Sequence, residues 1–456
     1  MTRLPQPSLV NRLLVTRSLG QGPSAFVSCH PFDGELRMRS VVAIVCGLLI
    51  AANVTAQEWP RFRGPNGSGV SASILPTRWT DKDYRWQVKL PGPGHSSPIL
   101  WGERVFVTSG DGAGKLHVLS LDAATGRTIW SREFPAGLPR GHKDNNLASA
   151  TPAVDDQRIY LAWGTAKEVV LLALTHEGIQ VWRRDLGPYG AGHGFGCSPI
   201  VHEGHVILTC EQDGNDSLAA VDAATGKDRW RVARKSRNTY ATPCLFHSPG
   251  RVAELIAVSY EDGITSLDLA TGRRNWEVDA FDKRHDEAAI ASPIVHDDLV
   301  LGSAGWLSVR YETIAVRPGW RAEPRQGPGG KRKVETVYKL DRDPPLVPTP
   351  VVKDDLLFLW NDRGIVSCCS AATGQKHWRE RVEGSFYASP VIAGKHVYCP
   401  SREGDMIVLA ANKKFEQVAR IPLREGTHAT PAIAGGRLFV RTLTQVMCLE
   451  GSVKRE

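Results

Sequence analysis

The dipeptide Ser/Thr-Pro returns eight times in this chain, at Ser97-Pro98, Thr151-Pro152, Ser198-Pro199, Thr242-Pro243, Ser292-Pro293, Thr349-Pro350, Ser389-Pro390 and Thr430-Pro431. Successive prolines lie 54, 47, 44, 50, 57, 40 and 41 residues apart, the length of a four-stranded sheet unit and well above that of a leucine-rich repeat. A unit of this size cannot bury its apolar face alone, so the chain must stack copies of it into one array. Each copy continues with an alternating apolar run such as Val105-Phe106-Val107, a polar hairpin, a second run such as residues 118–121, and a turn followed by Trp. That order reads as four short strands. The 44 Gly and 29 Pro agree with it, because both residues interrupt helices and mark turns.

The turn has its own signature. Ala123-Ala124-Thr125-Gly126 precedes Trp130, and Ala223-Ala224-Thr225-Gly226 precedes Trp230. Leu269-Ala270-Thr271-Gly272 precedes Trp276, Ala371-Ala372-Thr373-Gly374 precedes Trp378, and Gly178 precedes Trp182 at the same four-residue offset. Glycine supplies the positive φ of a tight hairpin, and the Trp four residues on has a large face to bury, expected between neighbouring units.

The fifth and seventh copies lack this Gly-to-Trp element, and the fifth carries an Arg-, Gly- and Pro-rich insertion over about residues 306–334, read as a surface loop. The eighth copy ends with only three strands. Trp86, however, precedes Pro98 by the same 12 residues that separate Trp378 from Pro390, so residues 84–90 are expected to complete the last unit. The expectation is an all-β chain: a single eight-bladed β-propeller of four-stranded antiparallel blades over residues 84–456, its ring closed by the N-terminal strand so that no sheet edge is left open. Residues 57–83 form a leader segment ahead of it.

The recurring Ala-x-Thr-Gly-x-x-x-Trp in an eight-part array is similar to the pyrroloquinoline-quinone-like (PQQ-like) β-propeller repeat family, over about residues 84–450. Trp59-Pro60-x-Phe62-Arg63-Gly64-Pro65 resembles the leader of exported, planctomycete-type bacterial members. Two branches follow from the resemblance. Quinoprotein dehydrogenases bind PQQ and calcium on the propeller axis and oxidise alcohols or sugars. A second branch, which includes the outer-membrane-assembly propeller, serves as a scaffold without cofactor. Fold does not choose between them; the site does.

The N-terminus bears on the compartment. Arg37, Met38 and Arg39 precede an apolar run over residues 41–54 that closes on Val54-Thr55-Ala56, the layout of a secretory signal peptide with translation starting at Met38. Fourteen residues are too few for a permanent membrane span, which needs about 18 or more. Residues 1–56 are therefore read as an upstream extension plus signal peptide, and the remainder as exported to the periplasm or cell envelope. Those 56 residues hold five Arg and two acids, so the net charge of +8 falls to +5, too small and too dispersed to imply nucleic acid. Seven Cys then remain, with no Cys-x-x-Cys spacing, which excludes a zinc site, a covalent c-type haem and an obvious disulfide framework.

Loops entering the first strand of each blade converge on one mouth of the central channel. The residue three before each repeat Pro should therefore form a ring: His95, Ser149, Gly196, Tyr240, Ile290, Val347, Tyr387 and His428. Two imidazoles and two phenols at one mouth suit a ligand with aromatic and polar surface. The loop with His142 and Asn146, and the segment His285-Asp286-Glu287, face the same mouth. The candidate ligand-binding set is thus His95, His142, Asn146, Tyr240, Glu287, Tyr387 and His428. The structural set is Trp86, Trp130, Trp182, Trp230, Trp276 and Trp378.

Other motifs read as structure. Asp213-Gly214-Asn215-Asp216 lacks the distal Glu of a calcium loop, and the glycines of residues 187–196 precede no helix that would hold a phosphate. Cys368-Cys369 resembles the vicinal cysteines of some quinoprotein dehydrogenases but lies in phase with Leu121, Val221 and Leu267 inside a strand. No catalytic or metal-ligating residue is assigned, because no nucleophile triad, paired carboxylates or nucleotide fingerprint occurs at usable spacing. The sequence favours a monomeric, non-catalytic binding or scaffold protein whose partner, a protein or a small molecule, sits at the channel mouth. A PQQ- and calcium-dependent dehydrogenase is the alternative.

Overall fold

A computed structural model describes residues 58–451, except 139–140, 191, 212–215, 236–237, 249, 251, 283–287, 306–310, 320–332 and 343. The described residues belong to one compact unit, Thr55–Glu456. They form eight antiparallel sheets in sequence order, the blades of a β-propeller. Blade 1, for example, comprises Ile99–Trp101, Arg104–Gly110, Lys115–Asp122 and Thr128–Pro135, in that order from the axis outward. The second and third strands of each blade are almost wholly buried on both faces, and they carry the near-continuous apolar runs of the repeat.

Ring closure is a strand exchange. Tyr84–Lys89 pairs with Gln445–Glu450 as the outer strand of blade 8, placing Trp86 opposite Cys448 and Tyr84 opposite Leu449. First and last parts of the repeat array thus share one hydrogen-bonded sheet, and neither is left with an open edge.

The Ser/Thr-Pro motif has a purpose that its recurrence alone did not reveal. At six of the eight blade junctions the Ser or Thr hydroxyl accepts the backbone N–H of the corresponding residue in the preceding blade. Ser97 donates to Thr151, Thr151 to Ser198, Thr242 to Ser292, Ser292 to Thr349, Thr349 to Ser389 and Ser389 to Thr430, all at 2.9–3.0 Å. A belt of hydroxyls therefore stitches the innermost strands around the channel and satisfies N–H groups that have no sheet neighbour there.

The Gly-to-Trp element acts across blades. In every blade a one-residue bulge interrupts the outermost strand pair where this Trp, or its replacement, stands. Bulged residues such as Ile129 and Val181 turn to solvent, and the Trp turns inward. The indole N–H of Trp86, Trp130, Trp182 and Trp230 then donates to a carbonyl in the turn of the next blade, Ala123, His176, Ala223 and Leu269 respectively. The ring itself packs against that turn's glycine. A Cβ at Gly126, Gly226 or Gly272 would come within 2.6–2.7 Å of the ring of Trp86, Trp182 or Trp230. Glycine is needed both for its positive φ and for the space its neighbour's Trp occupies.

Three blades depart from this scheme. In blade 5 Tyr338 replaces the Trp, its hydroxyl donating to the Ala371 carbonyl while Gly374 packs on its ring. Blade 7 has Ala419 at the equivalent position, across from Val408. The indole N–H of Trp276 in blade 4 donates instead to the Glu254 carboxylate of its own blade. The insertion is also shorter than expected. Tyr311–Pro318 is the third strand of blade 5 and pairs with Val334–Leu340, so part of the expected loop is strand; residues 320–332 between them lie outside the described residues. The short apolar run Ile314-Ala315-Val316 marks that strand, but the surrounding Arg and Gly concealed it.

The leader is built into the propeller. Val70–Ser71 adds a parallel fifth strand to blade 7, and Trp59 exchanges backbone hydrogen bonds with Leu100 of blade 1. Between these anchors the chain crosses the channel. The fully buried Arg63 guanidinium donates to the carbonyls of Thr349, Pro350 and Pro390, and to Gly67 and Ser68 of the leader itself. Arg61 reaches the Pro243 carbonyl, and Asn66 makes a reciprocal pair with the backbone of Leu245. The repeat prolines present carbonyls toward the axis, and two leader arginines take them up. Burial lowers the pKa of Arg61 to about 10 and of Arg63 to about 9, so both remain charged at neutral pH.

Candidate functional site at the channel mouth

With the leader as its floor, the channel becomes a cavity of about 280 Å³. All eight residues three before the repeat prolines line it: His95, Ser149, Gly196, Tyr240, Ile290, Val347, Tyr387 and His428. Their phase is set by the hydroxyl belt, two residues further along, which forms the tier beneath. Phe62 of the leader lines the cavity as well.

One wall is aromatic and electrostatically organised. The His95 and His428 rings stack with centroids 4.2 Å apart and planes 20° from parallel, and Tyr387 meets His428 edge-on at 5.0 Å. Arg402, from the hairpin of blade 7, lies over the Tyr387 ring at 4.1 Å. Its Nε donates to His428 Nε2 at 3.2 Å and its Nη2 to Asp144 at 2.8 Å. Burial drives the imidazole pKa values down, to about 3 for His95 and about 4 for His428. Neighbouring groups disfavour protonation of each ring further, His428, Arg441 and Arg402 at His95 and Arg402 at His428. Both rings are neutral at pH 7. The opposite wall, Ile290, Leu346 and Val347, is apolar.

The remaining residues singled out in the sequence divide. His142 lines the axial cavity, with its ring 5.6 Å from that of His193, which lines it too. Asn146 lies instead in an adjoining chamber. Glu287, with His285 and Asp286, falls outside the described residues, as does most of the Asp213 turn. Cys368 and Cys369 are buried free thiols in the third strand of blade 6, packed among apolar side chains. Phe62, Arg402 and the belt hydroxyls are the site elements that the sequence did not disclose. Arg402 sits in a hairpin on the mouth side of its blade, a position that aligning those hairpins would have exposed; nothing periodic marks Phe62.

The residues also bear on whether PQQ with calcium fits. Calcium takes about six to eight oxygens, several from carboxylates. Among the described lining residues the sole carboxylate is Asp144, already engaged by Arg402, and no group of three or more potential ligands stands together among the described residues. The vicinal cysteines are away from the cavity. This donor set does not match a calcium-bound quinone.

An eight-bladed ring with inter-blade Trp-on-Gly packing defines a β-propeller of PQQ-like repeats. The chain belongs to the family described as outer membrane protein assembly factor BamB, which matches residues 77–175, 165–319 and 317–442. A polyvinylalcohol dehydrogenase of Pseudomonas sp. is 28% identical over 258 residues, which are 47% of this chain and 38% of that protein's length. Among solved structures, BamB from Moraxella catarrhalis superposes with a TM-score of 0.58 at 13% identity, over 81% of this chain and 98% of that one. The quinohemoprotein alcohol dehydrogenase of Comamonas testosteroni gives 0.59 at 12% identity, over 88% and 82%. At these identities the two structures bear on fold alone.

Proposed function

We propose that this chain is an exported, non-catalytic binding and scaffold protein of the cell envelope, which holds a compact small molecule or a side chain of a protein partner in the cavity at its channel mouth. The observation that carries this reading is the makeup of the cavity: two neutral stacked imidazoles, two phenols and an apolar wall over a fixed floor, with its one described carboxylate tied up by Arg402. Such a lining orients and desolvates a ligand, but its stacked imidazoles, with pKa values of about 3 and about 4, are weak bases, and it brings no cluster of oxygens for a metal among the described residues. The family's description as an outer membrane assembly factor supports an envelope setting, and no helix among the described residues is long and apolar enough to cross a membrane. The protein acts as a monomer in this reading.

The test uses the exported chain. PQQ with calcium is added, and both a bound chromophore and alcohol-dependent dye reduction are sought, alongside a thermal-shift screen of small molecules. Ligands whose stabilisation disappears in the Tyr240→Ala/His428→Ala double variant, without dye reduction, support the proposal. Dye reduction that the same double variant abolishes would establish the dehydrogenase reading instead.

A further inference from the structure

Beside the axial cavity lies a second chamber of about 360 Å³, which shares the His95–His428 wall with it. Pro93, Gly426, Thr427 and Leu443 close it on the side of blade 8, and Lys143, Asn145, Asn146 and Arg402 complete it. Among the described residues no carboxylate lines it. We infer that this chamber is an oxyanion-binding site, taking a carboxylate or phosphate group of a small molecule.

Three donors on its wall are unspent. Arg402 uses Nε on His428 and Nη2 on Asp144, and its Nη1 has no partner among the described residues. The Asn146 side-chain oxygen accepts the Ala148 N–H, which fixes the amide so that its NH₂ remains available. Lys143 has no ion-pair or hydrogen-bond partner among the described residues. An exposed lysine alone is a solvated charge; here it stands over a concavity with a half-buried guanidinium and an oriented amide, and a planar oxyanion matches that set.

The surrounding charge has the right sign. Arg441 is fully buried behind Gly94, and its Nε and Nη2 have no hydrogen-bond partner among the described residues. The acids that act on these groups, among the described residues, are Asp144 and Glu425. Asp144 already serves Arg402, and Glu425 accepts from the Thr442 hydroxyl and from the N–H and hydroxyl of Thr444. Three cations therefore face two committed carboxylates. The depressed basicity of His95, to which both Arg441 and Arg402 contribute after burial, reflects the same positive potential. An oxyanion in the chamber would relieve it. This site stands whether or not the axial cavity is occupied.

The experiment follows the side-chain ¹⁵N resonances of His95 and His428 in the exported chain as inorganic phosphate or malonate is titrated in, with chloride as the control at equal, low ionic strength, where screening is weakest. Saturable shifts with phosphate or malonate but not chloride are expected, and the tighter of the two probes identifies the group. Lys143→Gln should weaken binding about tenfold, and Asn146→Asp, which turns a donor into a charge of the wrong sign, should abolish it. Tyr240→Ala, in the axial cavity alone, should leave it unchanged. Shifts that track ionic strength alone, or equal affinity in Lys143→Gln and Asn146→Asp, would overturn the assignment. Lys143 is exposed and has no partner among the described residues, so its variant reports on the site without risk to the fold.

Discussion

Trp86 packs its indole against the α-carbon of Gly126, near enough that a Cβ there would lie 2.6 Å from the ring, and its N–H donates to Ala123 at 3.1 Å. Trp86 stands on the strand that completes blade 8, Gly126 in a turn of blade 1. Their contact therefore joins the two ends of the repeat array, as the equivalent Trp and Gly join successive blades elsewhere.

Replacing that glycine should be costly for two separable reasons. Gly126→Ala forces a side chain into positive φ and into the indole, and should destabilise by about 3 kcal/mol. Gly102→Ala has a similar φ but nothing within 4 Å, so it should lose only about 1 kcal/mol. Denaturant unfolding of both variants measures the difference, which should shrink when Gly126→Ala is made together with Trp86→Leu.

The leader's role is tested at Arg63. Arg63→Met leaves the carbonyls of Thr349, Pro350 and Pro390 buried without their donor and should cost at least about 3 kcal/mol. Arg63→Lys should recover little, since a single ammonium cannot span the five acceptors that the guanidinium fork reaches. A full recovery of the unfolding midpoint by lysine would show that charge, and not geometry, holds the floor in place.

The hydroxyl belt predicts a contrast within one position. In Thr151→Val the Ser97 N–H loses its acceptor, with an expected loss of about 1–3 kcal/mol, whereas Thr151→Ser keeps the oxygen and should be close to neutral. Amide exchange at Ser97 should accelerate in the valine variant alone.

Acid should weaken the protein through its stacked histidines. Their folded-state pKa values, about 3 and about 4, lie below the ordinary value of 6.5, so the unfolded chain binds more protons and stability falls as pH drops below 6.5. From pH 7 to about pH 5 the His95 contribution lost is about 2 kcal/mol. His95→Phe should show a shallower decline over that window in unfolding midpoints; an unchanged slope would mean that the ring is protonated in the fold.

What could be read along the chain was periodic. Ser/Thr-Pro at regular spacing, Gly followed four residues later by Trp, and the matching interval before Pro98 placed the blades, their closure and the ring position three before each proline. The leader's passage through the channel was not periodic. Arg63 meets Thr349 and Pro390, and Asn66 meets Leu245, through single contacts between distant parts of the chain that leave no local trace. Arg402 and Asp144 likewise meet across the mouth from different blades. Within blade 5, composition pointed away from the strand Tyr311–Pro318, because flanking charge and glycine outweighed a short apolar run.

Sequence by itself determined the number of blades, since each repeat must bury its sheet against the next, and it determined which side chains share a tier, since a constant offset from each repeat proline fixes their phase. Tertiary structure alone decided that the channel has a floor, that two imidazoles stand face to face as neutral bases, and that cations outnumber acids beside them. Those properties depend on burial and on distances between blades, which a one-dimensional pattern does not encode.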